Sequence, residues 1–329
     1  MNHSCCVRLA SLARHVIGYA AMLALLTMLA ASAAQADDAK AQDNRAIDQA
    51  VDDLLKQHGS GLEVSLWLGT SSGDAWYQRN ATAVRPTASA IKAFYLVVFY
   101  DRYKDQLDQP LPGAAKILDD DSHPAISHFT EQQRADIRRE LTTATVRHIG
   151  EVMIGKAKVS NPVYNAAANL ITAVLGGPEA LTKSIRQLDP AFQSVTARRY
   201  MLRDRKQPGD NEATAAAFAA FYQRLATGSF NGIDDATLAA VRSTLLWEQD
   251  PKQGANYRKG GALNSDPLTR VHAGWWETPA GPIVNVVMTE QPAPDGSDEK
   301  AAAEAVKAIS TTAVNLNKLL VEVGRKKLP

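Results

Sequence analysis

Ser89-Ala90-Ile91-Lys92-Ala93-Phe94-Tyr95-Leu96-Val97-Val98-Phe99-Tyr100 is the stretch on which the reading of this 329-residue chain turns. Beyond Lys92 every position is apolar or aromatic, the pattern of a helix buried on all sides. At its mouth Ser89 and Lys92 are three residues apart, so on a helix they share one face. Burial penalises charge, so a lysine held there is pressed toward its neutral form. A neutral amine beside a serine hydroxyl can take its proton and leave an alkoxide-like nucleophile. An N-cap serine is the plainer reading of Ser89. That reading leaves Lys92 unexplained, since lysine is seldom buried without a reason.

Working outward, Leu62-Glu63-Val64-Ser65-Leu66-Trp67-Leu68 alternates as a strand, Gly69-Thr70-Ser71-Ser72-Gly73 is a turn, and Ala75-Trp76-Tyr77 starts the return strand. The turn matches Gly-x-Ser-x-Gly, the nucleophile elbow of another hydrolase fold. That motif requires a helix after it, and here a second strand follows. Before the hairpin, Ala46, Ile47, Val51, Leu54 and Leu55 recur at helical spacing up to a glycine stop at Gly59 and Gly61. The apolar helix is expected from Thr87 to about Tyr103, and residues from about 105 to 250 read mostly as helices and loops. Strand character returns at Thr269–Trp276 and Gly281–Thr289. A final amphipathic helix covers about Asp298 to Val323, with Lys326 and Lys327 suited to its negative end. Ser297-Asp298-Glu299-Lys300 repeats the Ser-x-x-Lys spacing, but Ser297 reads as the N-cap of that last helix. Strands from both ends of the chain enclosing a helical middle predict an α+β fold, with the site in a cleft between sheet and helices.

Two more segments carry chemistry-bearing residues. Lys259-Gly260-Gly261 leads into strand-like sequence, where glycines let a backbone edge approach a ligand and the ammonium can face a carboxylate or the nucleophile. Lys252-Gln253-Gly254 resembles it without leading straight into a strand. In Ser160-Asn161-Pro162-Val163-Tyr164-Asn165-Ala166-Ala167-Ala168-Asn169-Leu170, Pro162 fits the first helical position with Asn161 as cap. Asn161, Asn165 and Asn169 then fall on one face of an otherwise apolar helix. They are either a solvated face or a binding row. His123, His128, His148 and His272 have no metal-ligand spacing and read as structural. Neither a metal nor another cofactor is implied.

Arg8, Arg14 and His15 precede an apolar run through Ile17–Leu26 that ends at Ala34-Gln35-Ala36, the pattern of a secretory signal peptide cut after Ala36. An uncleaved anchor is the rival, opposed by the acidic start at Asp37-Asp38. Both cysteines, Cys5 and Cys6, fall in the leader, so the mature chain is expected to hold neither a disulfide nor a thiol nucleophile. The whole chain carries a formal charge of +1, less than the leader's two arginines supply. A near-neutral protein of about 290 residues is large enough for a substantial core and gives no reason to expect nucleic acid as partner.

In this order the motifs resemble the serine β-lactamase and penicillin-binding protein superfamily, nearest its class A type, over nearly all of the mature chain. The run from Asn165 through Asn169-Leu170 to Gly176-Gly177-Pro178 is especially similar to the family's pattern. The resemblance implies a β-lactamase/transpeptidase-like antiparallel sheet flanked by N- and C-terminal helices, with a sheet lobe over about 37–103 and 252–329 and an all-helical lobe over about 104–251. It implies Ser89 as the acylated nucleophile and Lys92 as a general base. Lys259, Gly260 and Gly261 would attend the substrate, with the N–H groups of Ser89 and Ala262 as the oxyanion hole and Arg270 as a second carboxylate ligand.

Three departures accompany it. The family's Ser-Asp-Asn falls without a gap on Val163-Tyr164-Asn165. That leaves Tyr164 or Ser160 to supply the missing hydroxyl and keeps Asn165 as a substrate ligand; a rival placement on Val159-Ser160-Asn161 needs a gap. The glutamate that activates water is replaced by Met201 in Arg199-Tyr200-Met201, with Asp204 and Glu212 nearby. Gly260 stands where the family has a threonine or serine. The implied function is a periplasmic serine hydrolase opening β-lactam rings. The alternatives are a penicillin-binding relative that acts on cell-wall peptides and is slow to release its acyl group, or a silent binding protein of the same fold. A monomer without stable membrane insertion is expected.

Overall fold

The computed structural model describes residues 42–59, 61–73, 75–206, 208–294 and 298–328. The expected leader and Ser297 lie outside the described residues. The chain divides into two compact units, Met1–Asp53 and Leu54–Pro329. The described part of the first is helical and belongs to α1, residues 42–58.

In the second unit, the hairpin β1 (Glu63–Thr70) and β2 (Ala75–Arg79) forms as the alternation predicts. A short β3 (Val84–Pro86) leads to a 3₁₀ turn at Ala88–Ile91 and then α2 (Lys92–Arg102). The helical middle comprises α3 (Ala114–Leu118), α4 (Glu131–Leu141), α5 (Val146–Ile154), α6 (Asn161–Val174) and α7 (Pro178–Leu188). After β4 (Glu212–Thr214) come α8 (Ala215–Thr227) and α9 (Asp235–Leu245). The chain then returns to the sheet through β5 (Leu246–Asp250), β6 (Gly254–Arg258), β7 (Gly261–Leu263), β8 (Leu268–Thr278) and β9 (Gly281–Gln291), and closes with α10 (Glu299–Lys327).

The main sheet runs β2-β1-β9-β8-β6-β5, with β7 pairing β8 alongside β6, and every pairing is antiparallel. Its two faces follow from the period of two along β9. Asn285 donates to Asn317 of α10 at 2.7 Å, which marks the α10 face. Val284, Val286 and Met288, on the other face, join one core cluster with Phe94 of α2 and Phe218 of α8. Within that cluster the Phe94 ring lies 4.4 Å from Phe221 and 5.2 Å from Phe192 and Phe218. Ala93–Tyr100 are all buried, as the unbroken apolar pattern requires.

Several local expectations change. The expected helix from Thr87 begins with a 3₁₀ turn, and neither helix start there has a side-chain cap, so Ser89 is not an N-cap. The N-cap of α6 is Ser160, with Asn161 already helical. Asp298 caps α10 by accepting from Ala301 N–H. Lys252-Gln253-Gly254 does run into a strand, as the turn between β5 and β6. A Cβ on Gly254 would stand 1.9 Å from the Glu277 carbonyl oxygen, and the residue takes φ +94°, so the turn requires glycine. The small β3–β4 sheet escaped the sequence reading because its three-residue strands are too short to show a period.

Candidate active site

The turn bearing Ser89 is fixed from both sides. Thr87 donates its N–H and its hydroxyl to the Asn211 carbonyl, each at 2.9 Å. Ala88 then takes φ +48°, a left-handed conformation costly to a residue with a Cβ, and Ser89 after it lines the cavity. On the other side β7 lies directly against the turn. A Cβ on Gly261 would stand 2.4 Å from the Thr87 oxygen and 2.8 Å from the Ala90 nitrogen. Gly260, Gly261 and Ala262 line the same cavity as Ser89, and Ala262 pairs with Arg270 on β8.

Lys92 is fully buried at the first position of α2. Its ammonium donates to Asn165 Oδ1 at 3.0 Å, and the Asn165 amide donates in turn to the Asn161 carbonyl and side-chain oxygens. That chain sets which end of the Asn165 amide faces the lysine. The Lys92 Nζ also sits 3.4 Å from the centre of the Tyr164 ring, with Lys259 Nζ at 5.3 Å. The Tyr164 phenol lies beside Ser89 and interacts electrostatically with both lysines. Lys259 is held by its own N–H, which donates to the Tyr222 hydroxyl at 3.0 Å and the Ala273 carbonyl at 3.1 Å.

Burial lowers Lys92 to about 7; Tyr164 pulls it upward and the Lys259 charge presses it further down. For Tyr164 burial works against ionisation. The charges of Lys92 and Lys259, with hydrogen bonds from Lys259 and Ser89, outweigh it and bring the phenol down to about 7. The two groups titrate as a pair, so near neutral pH one proton is shared between amine and phenolate. A hydroxyl beside that pair has an acceptor for its proton at hand.

Val163 is buried and Ser160 is exposed outside the cavity lining, so of the two hydroxyls considered for the missing serine only Tyr164 reaches the cluster. Asn169 is fully buried rather than solvated. Its Oδ1 accepts from Met201 N–H at 2.5 Å, and its amide donates to the carbonyls of Met201 and Ala125 at 3.1 and 3.0 Å. The His128 Nε2 also lies 3.0 Å from the Met201 carbonyl oxygen. Met201 is thereby pinned in the cavity wall. Glu212 is bound to Arg198 at 2.6 Å and lies outside the lining. Asp204 lines the cavity but accepts from the Lys206 N–H at 3.0 Å.

Arg270 lines the cavity, but its guanidinium is occupied. It donates to Ser310 Oγ, the carbonyls of Leu263 and Thr269, and Asn264 Oδ1, all between 2.7 and 2.9 Å. That set ties β7 and β8 to α10. His272, read from sequence as structural, also lines the cavity. Burial, with the charges of Arg258 and Arg270, lowers it to about 4 and keeps it neutral near pH 7. The cavity encloses about 1220 Å³. The supporting residues Thr87, Asn211 and Tyr222 had no signal in the sequence, whereas Asn169 had one in the asparagine row.

The model of the beta-lactamase enzyme family matches residues 46–316. No curated protein matches the chain. Among solved structures, a β-lactamase from Sphaerobacter thermophilus is 20% identical, with a TM-score of 0.55 over 82% of this chain and 95% of that one. A β-lactamase from Chitinophaga pinensis is 14% identical, with a TM-score of 0.57 over 84% and 98%. The TLA-1 extended-spectrum β-lactamase is 12% identical, with a TM-score of 0.59 over 82% and 99%. At these identities the solved structures establish the fold, and the match of the family model extends the likeness to lineage: this chain belongs to the beta-lactamase enzyme family.

Proposed function

We propose that this protein is a serine hydrolase of the β-lactamase type, opening β-lactam rings through an acyl-Ser89 intermediate with Tyr164 moving the proton. The observation that carries this reading is the Tyr164 ring, flanked by Lys92 and Lys259 on the wall it shares with Ser89, with its acidity brought to about 7. Ser89 Oγ gives its proton to the Tyr164 phenolate and bonds to the ring carbonyl carbon. The N–H groups of Ser89 and Ala262 receive the oxyanion. The ring C–N bond then breaks, and the proton on Tyr164 passes to the leaving nitrogen, restoring the phenolate. For release, water gives a proton to that phenolate and its oxygen to the ester carbonyl, and Tyr164 returns the proton to Ser89 Oγ.

In this reading Lys92, aligned by Asn165, holds the proton-sharing pair in charge balance. Lys259 serves the substrate carboxylate and the phenolate together, and Gly260 and Gly261 clear the backbone edge beside the ring. Arg270 is assigned to holding β7 in place rather than to the substrate. Periplasmic export belongs to the same reading and rests on the sequence of residues 1–36.

One observation favours a second reading. The apolar Met201 stands on the Asn169-pinned wall where a carboxylate would activate water, which supports a penicillin-binding relative that acylates and releases slowly. A silent binding protein is opposed by the retention of Ser89, Lys92, Tyr164 and Lys259 in one cluster. Intact-mass spectrometry of residues 37–329 mixed with a penicillin separates these. A transient adduct on Ser89, absent from Ser89→Ala, supports the hydrolase. A persistent adduct supports the second reading, and no adduct refutes both.

A further inference from the structure

Met201 is followed by Leu202, which takes φ +64° and leaves 51% of its surface exposed. A bulky L-residue rarely adopts that conformation, and a turn that needed only the backbone would be served by glycine or asparagine. The turn is braced from beneath. The Arg203 N–H donates to the Tyr200 carbonyl at 3.3 Å, and Arg199 Nη1 donates to the carbonyls of Tyr200 and Arg203 at 3.3 and 3.1 Å. The scaffold thus holds an apolar side chain, exposed to water, on the wall of the cavity that contains Ser89.

Beside it the same wall turns cationic. Arg203 and Lys206 line the cavity, are exposed, and have no acidic partner within ion-pair range among the described residues. Of the carboxylates on this wall, only Asp210 is ion-paired among the described residues, with Arg199 at 2.8 Å and Arg205 at 3.3 Å. Asp204 and Asp266 keep their charge and accept backbone N–H groups, from Lys206 and, at 2.9 Å, from Ala293, so the side chains of Arg203, Asp204, Arg205 and Lys206 together remain net positive. At about 1220 Å³ the cavity exceeds the roughly 300–1,000 Å³ usual for a small-molecule site, leaving room beyond a β-lactam nucleus.

We infer that the Leu202–Lys206 rim selects substrates whose acyl side chain joins an apolar body to a second anionic group, the apolar part on Leu202 and the anion on Arg203 and Lys206. This rests on the reading of Ser89 as the acylated residue. The apolar contact removes water from Leu202, and the two unpaired cations reward a carboxylate that a neutral side chain lacks.

A matched pair of probes tests it: benzylpenicillin, and α-carboxybenzylpenicillin, which differs by one carboxylate on the side chain. Calorimetric binding to the Ser89→Ala chain reads the rim without requiring chemistry. The carboxylated probe is expected to bind about fivefold more tightly, in line with exposed charge pairs, and the preference should shrink at high salt. In the Arg203→Glu/Lys206→Glu background the ratio should fall to one or invert. Leu202→Gly should weaken both probes alike, and since it relieves a left-handed φ it should not cost folding. Equal binding of the two probes, or a preference that survives charge reversal, overturns the inference. Binding of neither overturns it together with the reading beneath it. A charge-dependent preference in Ser89→Ala, with no Ser89 adduct in the wild-type chain, overturns the catalytic reading and with it the assignment of the rim to an acyl side chain, leaving a charge-selective binding rim.

Discussion

Replacing Tyr164 by phenylalanine removes one oxygen and with it the ionisable group that interacts with Lys92 and Lys259 beside Ser89. The ring remains, so the packing of Lys92 against its face, 3.4 Å from the centre, is preserved. What is lost is the proton acceptor for Ser89. A positioned general base contributes typically about 10²–10⁴ in rate, or about 3–5 kcal/mol of barrier. Lys92 also loses the group that raises its pKa, so burial leaves it more strongly neutral and Lys259 without its phenol partner. The assay is the rate of Ser89 adduct formation with a penicillin, followed by quenched intact-mass spectrometry across pH. In the wild-type chain the rate should rise with pH through about 7, because below that value amine and phenol are both protonated and neither accepts. In Tyr164→Phe the rate should fall by at least a hundredfold and lose that rising limb. A variant that acylates within threefold of wild type, with the limb intact, would refute the role given to Tyr164.

Other perturbations follow from the same geometry. Asn169→Ala removes three hydrogen bonds and strands the Met201 N–H in a buried wall, so a loss of about 2–4 kcal/mol is expected by thermal or denaturant melting. Gly261→Ala drives a Cβ toward the Thr87 carbonyl. The displacement of β7 should cost about 1–3 kcal/mol and cut acylation more than it cuts stability, measured by melting and adduct formation on one preparation. Met201→Glu sets a carboxylate on the cavity wall and should shorten the lifetime of the acyl-enzyme at least tenfold without speeding its formation; an unchanged lifetime would remove Met201 from the account of slow release.

How much of this was legible beforehand divides along sequence separation. The buried helix, the hairpin and the long strands at 268–291 announce themselves by local periodicity, and Ser89 with Lys92 is a local pair. The sheet order is not local, since β1 lies beside β9 across more than half the chain. The partners that give the site its character are also distant in sequence: Lys92 with Asn165, Asn169 with Met201, and Lys259 with Tyr222. Arg270 shows the limit of motif reading. Its place on β8 was read correctly, but only the coordinates reveal that Ser310, Leu263, Thr269 and Asn264 use its donors. Tyr164 could be named from the gap left by a missing serine. Its altered acidity could not, because that depends on two lysines brought together by the fold.

In the proposed mechanism Tyr164, held between Lys92 and Lys259, is the ionised acceptor for the Ser89 proton. Phenolate absorbs in the ultraviolet where phenol does not, so an absorbance titration of the wild-type chain against Tyr164→Phe reads this one side chain. A difference signal of one phenolate should appear as pH passes about 7. A difference that stays flat until the ordinary tyrosine range near 10 would contradict it and return the role of base to Lys92 alone.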